Sequence, residues 1–267
     1  MAAASALGAM GPAAAKAVPA LIRALQDEDA TIDVQGTAAR ALGRIGPQAG
    51  QAIPALIQAL GWPLGVQSWF AAEALGSMER ATVIPALIQA CEGQDVDVRA
   101  GAARQLGTID PTSDEIRIVL ARALGDPHPE MRYAAACALG DIGPEAVAAV
   151  PTLVERLKDE HDDVRYAAAR ALGHIGPAAT AAVPPLVQML DDPIVSVRWT
   201  AAEALGQIGP GTAAAGPALA RILQEDPSVQ VRSAAVVALG NMGPSAGETV
   251  PALIQALQDK NRLVRAA

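Results

Sequence analysis

Val164-Arg-Tyr-Ala-Ala-Ala-Arg-Ala-Leu-Gly-His-Ile-Gly-Pro177 decides how the rest of this chain is read. On a helix of about 3.6 residues per turn, Val164, Ala167, Ala168, Ala171, Leu172 and Ile175 fall on one apolar face. Tyr166, Arg170 and His174 line the opposite, solvent-facing side. Gly176 and Pro177 end the helix, because glycine accepts the left-handed conformation that closes a C-terminus and proline cannot continue one.

The same pattern recurs along the chain. A Leu-Gly pair places glycine at 8, 43, 76, 107, 140, 173, 206 and 240, at intervals of 31 to 35 residues. A proline after an aliphatic residue recurs at Pro19, Pro54, Pro85, Pro151, Pro184 and Pro251, with Pro217 after Gly216 as a variant. Proline fixes φ and lacks an N–H, so each opens or kinks a helix. Each unit is therefore a helix A (Val183 to Leu190, with Val183, Leu186, Val187 and Leu190 inward), an acidic turn, and a helix B. Such short helices are marginal alone, and one partner does not cover their apolar faces. Stacking antiparallel pairs at a constant small rotation gives an all-α solenoid of about eight repeats, each touching its neighbours. This single array spans 1–267 and begins and ends within a repeat.

Composition agrees. The only aromatics are three Trp, two Tyr and one Phe, so the interior is built of Ala, Leu, Val and Ile and needs closely approaching helices. A net charge of −8 argues against a binder of nucleic-acid backbones, which depends on a basic face. Cys91 and Cys137 form no metal or disulfide spacing and are expected as reduced thiols in a cytoplasmic setting. No run of about 18 apolar residues is present, so no membrane span is expected. The Ala-rich start lacks a basic region and carries a stop at Gly11-Pro12, unlike a signal peptide.

The unit Val-Arg-x-x-Ala-Ala-x-Ala-Leu-Gly-x-Ile-Gly-Pro resembles the HEAT repeat, specifically the short bacterial type also found in phycobilin lyases. The resemblance covers essentially the whole chain. It implies that Arg99, Arg132, Arg165, Arg198, Arg232 and Arg265 form a ladder with the acidic turn of an adjacent repeat. Gln35 and Ser68 break that ladder, so the first two turns are expected to be less rigid. It also implies that the B helices line the concave side.

Carboxylates near the start of helix B (Asp27, Glu28 and Asp29; Asp95 and Asp97; Asp126 and Glu130; Asp162 and Asp163; Asp191 and Asp192; Glu225 and Asp226) are read as caps on exposed N–H groups. The alternative is an acidic edge that steers a basic partner. Residues 61–70 depart from the template and hold Trp62, Trp69 and Phe70, as a tolerated insertion or a contact site. Thr108 to Glu130 is a degenerate repeat with Arg117 in place of the second proline.

Three rows on the solvent side of helix B carry the functional expectation. The first includes Trp69, Tyr133, Tyr166 and Trp199; the second Glu73, Arg104, Cys137, Arg170 and Glu203; the third Asp141, His174 and Gln207. Rigid amphipathic rings among alternating charges are the composition of a recognition surface. The competing reading has the rings packing over Ala-rich neighbours, and Cys137 as an ordinary small surface residue. The chain is read as a non-enzymatic scaffold holding a protein or peptide in the concave groove, with no cofactor or metal and with self-association through uncapped ends. A bilin lyase or chromophore-handling protein is the alternative implied by the resemblance, with Arg104 and Arg170 receiving propionates. A third reading is an engineered array, against which the irregular stretches at 61–70 and 108–130 weigh.

No His-Glu pairs occur, a departure from the iron-binding HEAT-like deoxyhypusine hydroxylases. The acidic balance disfavours the HEAT-like DNA glycosylases. No phosphate loop or nucleophile elbow is present.

Overall fold

The structure is a computed structural model that describes residues 1–27, 29–62, 66–243 and 249–267; the side chains of residues 66 and 67 are also outside the description. Glu28, one of the expected capping carboxylates, and Pro63 to Gly65 of the irregular stretch therefore lie outside the described residues. Every regular element among the described residues is helical. The chain divides into two compact units, Met1–Val119 and Leu120–Ala267.

The first unit contains α1 (Ala2–Met10), α2 (Val18–Gln26), α3 (Ile32–Ile45), α4 (Ile53–Ala59), α5 (Val66–Gly76), α6 (Arg80–Cys91) and α7 (Val96–Ile109), and the division falls inside α8 (Asp114–Ala123). The second contains α9 (Pro129–Ile142), α10 (Val150–Arg156), α11 (Asp162–Ile175), α12 (Val183–Met189), α13 (Val195–Ile208), α14 (Gly216–Glu225), α15 (Val229–Asn241), α16 (Val250–Ala256) and α17 (Arg262–Ala266). Within each unit the long B helices pack in series: α1 on α3 and α3 on α5, then α9 on α11, α11 on α13 and α13 on α15. The α-solenoid expected from the repeats is the architecture found.

The quoted stretch forms α11 with its expected face buried: Val164, Ala167, Ala168, Ala171, Leu172 and Ile175 are all sequestered, and Ala169 joins them. The wider buried arc follows from α11 lying between α9 and α13 while α10 also packs on it. Gly176 has φ 74° and ψ −141°. Its φ is positive as expected, but its ψ lies in the mirror image of the extended region rather than the left-handed helical well, a conformation confined to glycine. The Gly176 N–H still closes the helix on the Leu172 carbonyl. The chain then turns through a 3-10 segment, Gly176–Ala182, that feeds α12 directly and buries Ala179 and Ala182. In α12 Val183 and Leu186 point inward as expected, whereas Met189 is more buried than Val187. Prolines 19, 54, 151, 184, 217 and 251 occupy the first turn of their A helices, while Pro85 lies inside α6.

The Leu-Gly glycines are contact points. A Cβ on Gly140 would lie 3.1 Å from the Ala171 Cα, on Gly173 3.0 Å from the Ala204 Cα, and on Gly206 2.9 Å from the Ala238 Cα. Paired Gly and Ala thus set how closely consecutive B helices approach, as the scarcity of aromatics requires. Gly206→Ala gains helix propensity of roughly 1 kcal/mol but forces α13 and α15 apart, a cost of about 1–3 kcal/mol. A net loss of about 1 kcal/mol in urea unfolding is the expected result.

The arginine ladder is present in the second unit. Arg132 donates from Nε and Nη2 to Asp159 at 2.8 Å each. Arg165 does so to Asp192 at 2.8 and 3.2 Å, Arg198 to Asp226 at 2.7 and 3.3 Å, and Arg232 to Asp259 at 2.9 and 3.1 Å. Each of these arginines also turns Nη1 back to its own turn, as Arg165 does to the Asp159 carbonyl at 2.9 Å. In the first unit Gln35 supplies the second half of this arrangement, donating to the Asp27 carbonyl at 2.9 Å.

The capping expectation needs correction. Asp95 is a true N-cap, accepting from the Asp97 and Val98 amides at 2.9 and 3.2 Å. Asp126, Asp159, Asp192, Asp226 and Asp259 instead sit two residues ahead of the caps and close a turn on the amides of His128, His161, Ile194, Ser228 and Asn261. Their side chains are aimed at the turn rather than into the helix, and those of Asp159, Asp192, Asp226 and Asp259 also meet an arginine.

Two helical stretches among the described residues, Ala2–Gln26 and Pro129–Arg156, are long and apolar enough to cross a membrane by length and composition, although neither is an uninterrupted apolar run. Each is broken by a positive-φ glycine, Gly11 at 57° and Gly143 at 73°, followed by a 3-10 segment.

Candidate functional site

In the second unit, α9, α11 and α13 carry equivalent residues at equivalent helical positions, so their packing in series aligns Tyr133, Tyr166 and Trp199 into one row. All three rings are half-buried. This is intermediate between the two readings of the row, neither buried in the core nor fully open to solvent.

The second row is less uniform. Cys137 is not a surface residue: it is 8 % exposed, covered where α11 packs on α9, and it is removed from the accessible face. It interacts with Tyr133, whose phenol is pushed up to about 12, foremost by the charge a Cys137 thiolate would carry, then by burial and by their hydrogen bond. Arg170 is half-buried and donates to Asp141 of the preceding repeat at 3.2 Å. Glu203 is half-buried and has no hydrogen bond or ion pair with any described residue.

The third row is exposed but also serves the repeat contact. His174 Nδ1 lies 3.1 Å from the Gly140 carbonyl, and Gln207 lays its amide oxygen across Gly173. Ser77 performs the same task in the first unit, donating to the Gly43 carbonyl at 2.9 Å. These residues reach back to the Leu-Gly glycine of the previous repeat, where absence of a side chain leaves the backbone open.

In the first unit, Trp69 on α5 is 58 % exposed, the most open ring of the row, and Glu73 and Arg104 are exposed on α5 and α7. Trp69 meets Phe70 edge-on with centroids 5.1 Å apart. Arg40 of α3 stacks its guanidinium 4.2 Å from the Phe70 ring centroid. The sequence rows missed this Arg40–Phe70 pair because Phe70 stands one position off the row. Phe70 lies against Gly36, where a Cβ would come within 2.6 Å of the ring. A glycine facing an aromatic across one repeat length is the signal that could have found it.

Chemistry finds little support in this geometry. Burial pushes the Cys91 thiol up to about 12, with Glu92 adding to the rise. Cys91 is therefore expected to resist iodoacetamide at pH 8 in the native chain and to react fully in 6 M guanidinium, as peptide mass mapping would read. No group of three or more His, Cys, Asp or Glu side chains suited to a metal occurs among the described residues. His128 and His161 occupy the N-cap positions of α9 and α11, separate from His174.

The family described as HEAT repeats matches residues 1–63, 84–160, 150–240 and 216–267. No curated protein matches the chain. Among solved structures, an engineered protein is 25 % identical with a TM-score of 0.58, over 98 % of this chain and 81 % of that one. Kap121p is 15 % identical with a TM-score of 0.77 over 94 % of this chain, which spans 32 % of Kap121p. Computationally designed armadillo repeat proteins for modular peptide recognition are 24 % identical with a TM-score of 0.53, over 68 % of this chain and 95 % of theirs. The short bacterial type found in phycobilin lyases is not singled out by these likenesses, but the family itself is: the chain belongs to the HEAT-repeat proteins.

Proposed function

We propose that the chain is a non-enzymatic scaffold that binds a protein edge or an extended peptide along its helix-B face. The observation that carries this is the row of Tyr133, Tyr166 and Trp199. Three rings stand at one helical position on three successive helices, each partly buried by the fold and partly exposed. Rings fixed in this way lose little entropy on contact, which is why aromatic anchors dominate binding energy. Two solved structures with this fold are consistent with the reading: Kap121p has been solved bound to Pho4p, and designed armadillo proteins were made for peptide recognition. Trp69, Glu73 and Arg104 extend the proposal to the first unit. A cytoplasmic setting, no nucleic acid, no membrane and self-association through the chain ends belong to the same proposal. The bilin alternative draws no support from the site, since Arg170, one of its two propionate receivers, already holds Asp141.

Panning a displayed random peptide library on the chain and retesting the selected peptides against Tyr166→Ala/Trp199→Ala tests the reading. Because the rings are half-buried, the double variant should lose about 1 kcal/mol of stability per ring rather than none. Its helical CD should persist while affinity falls at least about tenfold. Selected peptides that bind the double variant as well as they bind wild type would refute it.

A further inference from the structure

In the second unit the first row carries Tyr133, Tyr166 and Trp199 on successive B helices until α15, where Ser233 stands instead. The missing ring leaves a cavity of about 690 Å³ beside Trp199, between α13, α15 and α17. Its walls include Trp199, Val229, Val237 and Leu263, and Val237 and Leu263 are 48 % and 58 % exposed. The charged side chain on this wall is Glu203, one helical turn beyond Trp199 on the same face of α13. Gln207, Gln230, Ser233 and Asn241 complete the polar lining and are neutral.

We infer that this notch receives a cationic side chain, arginine or lysine, of the bound peptide or protein edge. The inference rests on the proposed helix-B binding face and specifies one of its positions. The methylene stem of such a side chain lies against Val237, Leu263 and the indole, and its charged head meets the Glu203 carboxylate. An indole face attracts a cation through its quadrupole, and a long cationic side chain satisfies an apolar wall and a carboxylate together. Charge complementarity selects this occupant. Glu203 has no cation among the described residues, unlike Asp141, which has Arg170, and the chain as a whole carries −8.

The test uses capped hexapeptide pools with one fixed position, arginine, lysine, norleucine or glutamate, and the others randomised, titrated into the isotope-labelled full chain. Perturbation of the Trp199 indole N–H resonance is read. The arginine and lysine pools are expected to bind about tenfold more tightly than the isosteric apolar norleucine pool, and the glutamate pool least tightly. Glu203→Gln should remove that preference while leaving the norleucine pool unchanged, and Ser233→Trp should fill the notch and abolish the Trp199 perturbation with helical CD intact. Equal binding of norleucine and arginine, or a preference that survives Glu203→Gln, overturns the inference. So does a concentration-dependent dimer in sedimentation that Ser233→Trp abolishes, which would make a second copy the occupant. If pools bind and perturb only the Tyr133 and Tyr166 rings, the notch fails while the helix-B face stands. If no pool perturbs any of the three rings, both fail together.

Discussion

Asp159→Ala is expected to destabilise the second unit by about 3–5 kcal/mol, because it strands the Arg132 guanidinium in a buried position. The side chains of Arg132 and Asp159 are only 7 % and 3 % exposed, so water does not replace the lost carboxylate. The same substitution frees the His161 amide and the turn that precedes α11. Chemical denaturation followed by CD gives the size of the effect, and amide exchange in α9 and α11 gives its location. A double change, Arg132→Met with Asp159→Leu, should cost much less than either single change, because it removes both charges instead of orphaning one. A double variant as unstable as the single one would mean that the turn, and not the ion pair, carries the energy.

The ladder also gives acid sensitivity a sign. Burial opposes ionisation of Asp159, but the hydrogen bonds from Arg132 and the His161 amide, with the charges of Arg132 and Arg156, hold its carboxyl below the usual 3.8. Asp259 is held down likewise, first by its hydrogen bond from Arg232 and then by the Asn261 amide. A group whose folded pKa lies below its unfolded value stabilises the fold fully above the unfolded value. That contribution is lost as pH falls through the folded one. Stability should therefore be level down to about pH 5 and decline below pH 4, and Asp159→Asn should flatten the decline.

Gly101→Val is the second large effect, expected to cost about 3 kcal/mol in the first unit. A Cβ at Gly101 would lie 2.6 Å from the Leu60 carbonyl oxygen and 2.9 Å from its carbonyl carbon, and backbone atoms cannot swing aside as a side-chain tip can. The valine methyls add further crowding where α4 ends against α7. Gly76→Ala is the control: it is helical too, and a Cβ there meets nothing within 4 Å. It should be neutral or stabilising by up to about 1 kcal/mol. Matched thermal melts separate the two, and equal effects would mean that helix propensity, not crowding, sets the cost.

Much of the fold is legible because the physics is local. The apolar period of 164–175, the proline in the first turn of most A helices and the glycine that ends helix B are each decided within a few residues, and they lie where expected. What escaped depends on the distance between helices. The burial of Cys137 and the half-burial of Tyr166 and Arg170 follow from how closely α9, α11 and α13 approach, which a single helical projection does not contain. The backward reach of His174 and Ser77 to a glycine carbonyl needs the stagger of two helices as well as their spacing. Asp159 and Asp259 were passed over for another reason. Asp159 stands in the run Lys158-Asp-Glu-His-Asp-Asp163, where many carboxylates compete for notice. Its distance of six residues ahead of Arg165, repeated from Asp126 to Arg132 and from Asp192 to Arg198, is the pattern that marks it.

Asp159, Asp192, Asp226 and Asp259 are each a joint. The carboxylate is held by the arginine of the repeat before, and the carbonyl by the arginine of its own. The natural module of the second unit is therefore the segment from one such aspartate to the next, Asp159 to Asp192 or Asp226 to Asp259, rather than a helix pair. A copy excised or duplicated at these points carries matching halves of the joint at both ends. One cut at the loops between paired helices would divide a ring of bonds at every seam. The 34-residue step from Asp192 to Asp226, against 33 for its neighbours, marks where such a module accommodates extra length: α14 runs ten residues where α10 and α12 run seven.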